Sequence, residues 1–388
     1  MSLQTLIAPH DTAAFLSDYF EKAYLHVSRN DASYFQHLLD DLDLERQIWR
    51  YSSQWGDVSL AKAGTRAMDT PYAEGLPTID AVADAFNNGY TVVVNNYQQK
   101  SASVAAFCRD VEKFFCFRCN VNLYLTAPRC KGLNAHYDDQ DVFVMQLAGA
   151  KTWRVYEGGP LLPMEDQPYH CPDTAGLAFV ELMLRPGDVL YLPRGYIHDA
   201  CTEDSQSLHL TLSVSAVRRA TLLKLLIKRL AARDECLRRS MPFSCLRGLA
   251  GNADLDDVMQ IAGVFDRVGA ADIQQALSDA QDRLLQVSSR LPGNQLRWAS
   301  PKPSVTIESQ VKIADDQLCM LSMVGGSYTL KFIGGQVPLS EDLLDTAGFI
   351  IEHRNFRVGD IDGGLSDAVN IAFVQFLSDA GLLVLTDQ

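Results

Sequence analysis

The amino-acid sequence predicts an α+β protein built around a double-sheet jelly roll. Between residues 129 and 216, five short β-type segments alternate with Gly- and Pro-containing turns: DVFVMQL, KTWRVY, LAFVELML, DVLYLP and SLHLTLSVS. Short strands at this spacing are typical of antiparallel sheets that pack face to face. Helical periodicity flanks this region, because apolar residues recur every three or four positions at 1–50 and 217–290.

Further elements are predicted on either side of the jelly-roll region. YTVVVNNY (90–97) indicates a strand, SASVAAFCRDVEKFF (101–115) a helix capped by Ser101, and CNVNLYLTAP (119–128) a strand that ends at a proline. In the last hundred residues, SVTIES, LCMLSMV and SYTLKFI indicate strands, and DAVNIAFVQFLSDAGLL indicates a helix. We therefore expect a small α+β domain at the carboxyl end.

The 388-residue chain is too long for one compact domain. We predict a catalytic domain at 1–216 with a helical amino-terminal segment, a helical domain at 217–290 and an α+β domain at 291–388. The 217–290 helices carry more apolar surface than one short hairpin would bury, which favours a homodimer. The alternative is that these helices pack on the barrel of their own chain.

Composition limits the classes of protein to which the chain can belong. The sequence has no charged leader followed by an apolar core and no run of about 18 apolar residues, so we expect a cytoplasmic protein without a membrane span. The net charge of −14 disfavours direct nucleic-acid binding and favours a cationic partner. An acidic surface that serves solubility alone is the alternative.

Nine scattered cysteines on a chain without a leader indicate free thiols rather than a disulfide framework. Cys116 and Cys119 form a CxxC, which could be half of a zinc site. No second CxxC or HxxxH pair supports it, and the aromatic residues around it favour a buried strand.

A candidate metal site is the most specific signal in the sequence. In GLNAHYDDQDVFVMQLAGAKTWRVY, His136 and Asp138 are two residues apart, so both point to one side of an extended segment. Sixty residues later, RPGDVLYLPRGYIHDA brings His198 just beyond a strand and a Pro/Gly turn. Two histidines and one carboxylate on one face of an octahedron are the ligand set of non-haem Fe(II) oxygenases, which need open positions for an oxoacid and O₂. The alternative is a pair of ordinary surface or core histidines.

Four other side chains are candidate cosubstrate contacts. Lys151 begins the strand fifteen residues after His136, at a depth suited to the second carboxylate of a bound 2-oxoglutarate. Asn122 and Tyr124 share one face of NVNLYL and could bind the cosubstrate or orient the iron ligands. His209 lies on the polar face of SLHLTLSVS and could line the interior. The alternative for Lys151 is an exposed lysine in a turn, and for Asn122 and Tyr124 it is a polar outer face of the strand. For His209 the alternative is a hydrogen-bonded histidine in the core.

These motifs resemble those of the JmjC-domain ribosomal oxygenases, a cupin-like group of protein hydroxylases that includes nucleolar histidine hydroxylases and a bacterial arginine hydroxylase. The resemblance is specific over 119–215 and extends to YFEKAYLHV, which is similar to the family's amino-terminal aromatic-Glu-Lys-x-x-Leu motif. It implies a double-stranded β-helix (JmjC) core with a helical dimerisation domain and a winged-helix-like domain. The later domains match the family in order and length only.

By position, the resemblance implies that His136, Asp138 and His198 bind Fe(II). It also implies that Lys151 pairs with 2-oxoglutarate, and that Asn122 and Tyr124 line its pocket. A lysine at 151 resembles the histidine-hydroxylating branch.

The resemblance implies an Fe(II)-, 2-oxoglutarate- and O₂-dependent dioxygenase. Our leading hypothesis is hydroxylation of a side-chain carbon, Arg or His, of a basic ribosomal protein. Hydroxylation of another peptide, such as a biosynthetic precursor, and lysine demethylation are rival activities, although the sequence shows no aromatic cage for a methyl-ammonium group. A cupin-like binding or assembly protein is the non-enzymatic alternative.

Overall fold

The computed structural model describes residues 2–39, 46, 57–63, 78–168, 170, 172–248, 251–288 and 304–386. The chain forms two compact units, Met1–Ala216 and Val217–Gln388. In the part of the chain that the structure describes, no helix is both long enough and apolar enough to cross a bilayer. The division of the second unit at residue 290 stays a prediction.

The first unit is a jelly roll of antiparallel strands with short helices. Its described strands are β1 Leu25–Val27, β2 Val58–Ala61, β3 Thr91–Val94, β4 Arg118–Thr126, β5 Asp141–Gly149, β6 Lys151–Tyr156, β7 Phe179–Leu184, β8 Val189–Leu192, β9 His198–Cys201 and β10 Ser207–Ser215. They form a seven-stranded sheet, in the order β1-β8-β5-β10-β4-β3-β2, and a three-stranded sheet, β7-β6-β9. The predicted jelly-roll class is confirmed.

Side chains from the two sheets meet in the interior, where the candidate site lies. Lys151 and Trp153 of β6 contact Thr126 of β4 and His209 of β10, respectively. A large apolar cluster underlies the seven-stranded sheet and includes the fully buried Phe143 and Tyr191. The sheets therefore hold polar groups between them over a well-packed core.

The helices of the first unit are short at the amino end and longer before β4. Among the described residues they are α1 Leu3–Ile7, α2 Thr12–Ala14, a π-helical turn Phe15–Tyr19, 3₁₀ turns Gln36–Leu38 and Tyr97–Gln99, α3 Ile79–Asn87 and α4 Ala102–Phe115. The predicted cap is present, since Ser101 Oγ accepts a hydrogen bond from Val104 N at 3.3 Å. Cys119 is buried in β4, whereas Cys116 is exposed at the end of α4.

The prediction of helix throughout residues 1–50 is wrong at Leu25–Val27. This segment is β1, the edge strand of the seven-stranded sheet, which pairs with β8 and so satisfies β8 backbone groups that would otherwise remain open. Residues 40–45 and 47–50, within the predicted helical stretch, lie outside the described residues.

The second unit begins with helices and ends in a mixed segment. The helices in its described part are α5 Arg219–Arg233, a 3₁₀ turn Cys236–Arg238, α6 Phe243–Leu246, α7 Asn252–Met259, α8 Ala262–Phe265, α9 Ala270–Val287, 3₁₀ turns Glu341–Leu343 and Val358–Asp360, α10 Leu344–His353 and α11 Asp367–Asp379. The strands are β11 Gln310–Ile313, β12 Cys319–Val324, β13 Ser327–Phe332, β14 Gly335–Leu339, β15 Asn355–Arg357 and β16 Leu383–Leu385. They form two three-stranded sheets, β15-β11-β16 and β12-β13-β14.

Two local predictions in this unit differ from the structure. The helical period read through 258–287 is broken before Ala270, where Gly269 caps α9 and its N–H donates to Asp272 Oδ2 at 3.0 Å. SVTIES is not a strand, because Ser309 N donates to Thr306 O at 3.1 Å and closes a turn just before β11. Both errors arise from turn chemistry that overrides a short apolar pattern.

Candidate active site

The candidate metal ligands His136, Asp138 and His198 come together in the first unit. One possible ligand atom from each lies within 4.8 Å of the other two. His136 and His198 form an isolated antiparallel bridge: His136 N donates to His198 O at 3.0 Å, and His198 N donates to His136 O at 2.8 Å. This pairing fixes the spacing of the two imidazole rings, whose centroids are 4.4 Å apart. Among the described residues, the triad is the one cluster of this kind.

Backbone carbonyls orient both imidazoles. His136 Nδ1 lies 2.9 Å from Asn134 O, and His198 Nδ1 lies 2.9 Å from Tyr196 O. A carbonyl can only accept, so the hydrogen bonds assign the proton to Nδ1 and leave the Nε2 lone pair of each ring to a metal. Metal-bound histidines usually have such a partner on their second nitrogen.

Burial keeps His198 in the form that binds metal. The residue is 4% exposed, and burial, followed by the neighbouring His136, lowers the pKa of His198 to about 4. A neutral imidazole can coordinate a metal without first losing a proton. Asp138 is more open, with 40% of its side chain exposed, and its Oδ2 lies 3.7 Å from His198 Nε2. The donor set of two nitrogens and one carboxylate oxygen fits a non-haem iron.

Lys151 is a buried cation that has no acidic partner among the described residues. It is 5% exposed, and its Nζ donates a hydrogen bond to Thr126 Oγ1 at 3.0 Å. Thr126 Oγ1 in turn lies 3.1 Å from Thr91 Oγ1. Burial lowers the pKa of Lys151 to about 8. A buried ammonium paired only with a hydroxyl is unfavourable, so a bound carboxylate would offset its desolvation. The surroundings of Lys151 therefore suit an organic anion.

An aromatic wall connects Lys151 with the triad. Tyr124 and His209 are cross-strand partners whose rings stack at 4.8 Å, and Trp153 meets the edge of His209 at 5.6 Å. The Trp153 ring also lies 5.8 Å from the His198 ring and 5.9 Å from Lys151 Nζ. His209 Nδ1 and Trp153 Nε1 are enclosed without hydrogen-bond partners. The wall keeps the space between cation and triad poor in water.

Asn122 and Tyr124 contact each other on one face of β4. Asn122 Oδ1 accepts a hydrogen bond from Asn96 N at 3.0 Å, so it also holds the turn after β3. Burial and then the charge of Asp138 raise the pKa of Tyr124 to about 12, while its hydrogen bond to Asn122 opposes that shift. Tyr124 therefore remains a neutral phenol. The roles of Asn122, Tyr124, Lys151 and His209 in cosubstrate binding stay predictions.

Sequence reasoning missed Trp153 and Thr126 as members of the site. Each lies two residues after a predicted site residue on the same strand: Trp153 follows Lys151, and Thr126 follows Tyr124. That period-two spacing could have identified both. The carbonyl groups of Asn134 and Tyr196 gave no signal, because any residue type supplies a carbonyl.

The pH dependence of stability tests the burial of His209. Burial, then the charge of Lys151, lowers the pKa of His209 well below its ordinary value, so the ring stays neutral in the folded chain. The unfolded ring takes up a proton below about pH 6.5. The free energy of unfolding should therefore fall as the pH falls below that value, by at most about 1.4 kcal/mol per pH unit from this group. Urea unfolding at about pH 7.5 and about pH 5.5 should show a smaller loss in His209→Phe than in the parent chain, and equal losses would contradict a neutral buried ring.

A jelly roll with an interior His-Asp-His cluster is the arrangement of a cupin-like metal-dependent protein, and comparisons with known proteins agree with this class. Residues 93–222 match the JmjC domain family. Ribosomal oxygenase 1 of Gallus gallus is 34% identical over 269 residues, 65% of this chain and 44% of that protein. The bifunctional lysine-specific demethylase and histidyl-hydroxylase NO66 of Drosophila melanogaster is 32% identical over 264 residues, 65% and 40% of the two chains.

Ribosomal oxygenase 1 of Homo sapiens is 29% identical over 84% of this chain and 56% of its own length. The chain thus spans less than two thirds of these relatives. The ribosomal oxygenase YcfD of Escherichia coli, solved in complex with cobalt and 2-oxoglutarate, has the same fold, with a TM-score of 0.55 at 14% identity over 97% of this chain and 99% of that one. Residues 93–222 thus match the JmjC domain family, and the chain is similar to the ribosomal oxygenases that carry this domain, as the sequence motifs predicted.

Proposed function

We propose that the chain is an Fe(II)- and 2-oxoglutarate-dependent oxygenase that hydroxylates a side-chain carbon of a protein. The observation that carries this proposal is the pairing of two features in one interior: a His-Asp-His cluster and a buried lysine without an acidic partner among the described residues. Similar proteins support the proposal, because they are named as a histidyl-hydroxylase and as a ribosomal oxygenase. The YcfD structure also supports it, because it contains cobalt and 2-oxoglutarate.

In this proposal, His136, Asp138 and His198 are the residues that would hold the iron. When bound with 2-oxoglutarate and O₂, the iron supplies insertion of oxygen into a C–H bond, with succinate and CO₂ as coproducts. Lys151 binds the distal carboxylate of 2-oxoglutarate, and the Thr126 hydroxyl, already bonded to Lys151 Nζ, positions that ammonium.

The aromatic wall of Tyr124, Trp153 and His209 excludes water from this space. Because Tyr124 and His209 stay neutral, the wall adds no charge that would compete with Lys151 for the carboxylate. The chain's own contribution is therefore positioning and protection of the reacting groups.

The substrate that we propose is a basic ribosomal protein, hydroxylated on Arg or His. The relatives named ribosomal oxygenase and histidyl-hydroxylase support this substrate class. The chain's net charge of −14 would attract a cationic protein by long-range steering. A cytoplasmic location forms part of the same proposal, because assembled ribosomes lie there.

Mass spectrometry of ribosomal proteins tests the proposed substrate class. The chain would be incubated with Fe(II), 2-oxoglutarate and ribosomes from cells that lack its gene. We expect a gain of one oxygen on an Arg or His side chain and an equal yield of succinate. Loss of a methyl group from lysine would favour demethylation instead. Succinate formed only with non-ribosomal peptides would reject the ribosomal substrate, and no succinate with any substrate would favour a binding protein.

A homodimer through the 217–290 helices is also part of the proposal. Leu223 and Ile227 of α5 and Ile273 and Leu277 of α9 are each more than 40% exposed, and each pair is spaced one helical turn apart. Exposed apolar stripes of this kind mark protein interfaces. Light scattering after size-exclusion chromatography should give twice the chain mass, and the double substitution Leu223→Glu/Ile227→Glu should give a monomer. A monomeric parent chain would reject the dimer.

A further inference from the structure

A largely buried ring of hydrogen bonds joins the amino-terminal motif YFEKAYLHV to the turn before His198. Glu21 N donates to Tyr191 Oη at 2.9 Å, and Tyr191 Oη donates to Asp141 Oδ1 at 2.8 Å. Arg194 Nη1 closes the ring, because it donates to Asp141 Oδ2 at 2.9 Å and to Glu21 Oε1 at 2.6 Å. Tyr191 and Asp141 are fully buried and Arg194 is 8% exposed, so the bonds among these three residues are shielded from water, whereas the Glu21 side chain is 35% exposed.

The ring fastens together the two segments that carry the candidate metal ligands. Asp141 follows Asp138 by three residues, and Arg194 precedes His198 by four. Next to Arg194, Gly195 N donates to Asp138 O at 2.9 Å. A side-chain ion pair and a backbone hydrogen bond therefore hold the same turn against the same segment.

Tyr196 connects the motif to the His198 ring itself. Its hydroxyl donates to Lys22 O at 2.9 Å, and its carbonyl accepts the hydrogen bond from His198 Nδ1, also at 2.9 Å. A shift of Lys22 relative to the turn would move Tyr196 and, with it, the group that orients His198. Three consecutive residues of the turn, 194–196, are thus each held from outside it.

The backbone of Glu21 is consistent with a fixed positioning role. Its φ of +58° lies in the left-handed region, which residues other than glycine rarely adopt. The contacts of Tyr191 with the Glu21 backbone and of Arg194 with its carboxylate hold this conformation from both sides. Unfavourable backbone angles persist only where the surroundings determine them strongly.

We propose that Glu21 and Lys22 are positioning residues for the metal centre, acting through Arg194, Asp141 and Tyr196. The amino-terminal motif then sets the distance between the Asp138 and His198 segments and the rotation of the His198 ring. This inference rests on the proposed metal site. The inference goes beyond the metal site because it assigns a role to the amino-terminal motif, which lies outside the candidate ligand set.

Cobalt(II) titration of the full chain, followed by visible absorption, tests this role without turnover. Glu21→Ala and Tyr196→Phe should each raise the Kd for Co(II) by about tenfold or more, the effect typical of groups that orient metal ligands. Glu21→Gln keeps an acceptor for Arg194, so it should lose less than Glu21→Ala. The thermal unfolding midpoint of each metal-free variant shows that it is folded, and a merely structural role would lower that midpoint without changing the Kd.

Tyr34→Phe is the matched control. Tyr34 Oη donates to Thr5 O at 2.6 Å, a hydroxyl–carbonyl bond in the same amino-terminal segment but away from the turn, so its loss should leave the Kd unchanged. If Tyr196→Phe and Glu21→Ala bind Co(II) with the parent's Kd while His136→Ala does not bind it, the positioning role is wrong and the metal site stands. If the parent does not bind Co(II), or His136→Ala binds it equally well, the metal site is wrong and the inference falls with it.

Discussion

Replacement of His136 by alanine should abolish metal binding and 2-oxoglutarate turnover in a chain that still folds. His136 is partly exposed and lies outside the strands, joined to His198 by backbone bonds that alanine retains. The substitution therefore removes one imidazole ligand and leaves the bridge. Since losing a group that only orients a ligand lowers metal affinity about 10- to 100-fold, losing the ligand itself should exceed about 100-fold.

Isothermal titration with Co(II) and an assay of succinate formation measure this effect. His353→Ala is the control, because His353 is exposed at the end of α10 in the second unit. The control should match the parent in both assays. A His136→Ala variant that binds one Co(II) per chain with the parent's affinity would show that the ligands have been assigned wrongly.

Replacement of Lys151 by methionine should raise the KM for 2-oxoglutarate by about 100-fold while stabilising the ligand-free chain. Loss of the ammonium would leave a buried carboxylate without its charged partner, which costs about 3 kcal/mol or more. In the ligand-free chain, methionine fills a similar volume without a buried charge, so the thermal unfolding midpoint should rise. A gain in stability combined with a loss of affinity is typical of binding residues.

The pH dependence of the KM separates the charge of Lys151 from its shape. Burial lowers the pKa of Lys151 to about 8, so the free lysine becomes neutral above that pH and must regain a proton to pair with a carboxylate. The KM for 2-oxoglutarate should rise up to about tenfold per pH unit above pH 8 in the parent and stay flat in Lys151→Met. Lys62→Met, which replaces an exposed lysine of the same unit, should behave like the parent. A KM unchanged in Lys151→Met would reject Lys151 as the anion-binding group.

The sequence allowed prediction of those parts of the fold and site in which side-chain type determines the outcome. The predicted strands KTWRVY and SLHLTLSVS coincide with β6 and β10 at both ends, and most of their residues are buried. The motifs HYD and PRGYIH predicted that His136, Asp138 and His198 would lie together, and the structure places them in one cluster. This prediction was possible because both turn residues and metal-ligand residue types can be recognised in the sequence.

The remaining features depend on contacts between distant segments. β1 is a strand because β8 offers it an open edge, and LHV alone does not indicate that partner. The link from Glu21 through Arg194 to Asp141 joins residues more than a hundred positions apart. Backbone carbonyls that orient His136 and His198 have no signature in residue type. Such features follow from the topology, which fixes the partners only once the sheets have formed.

A crystal structure of the chain with Co(II) and 2-oxoglutarate under anaerobic conditions tests the central proposal most directly. We expect one anomalous peak about 2 Å from His136 Nε2, an Asp138 carboxylate oxygen and His198 Nε2. The C1 carboxylate and keto oxygen of 2-oxoglutarate should both contact the metal, and the distal carboxylate should lie within about 3 Å of Lys151 Nζ. A metal bound elsewhere, or a 2-oxoglutarate whose distal carboxylate does not contact Lys151, would contradict the proposed site.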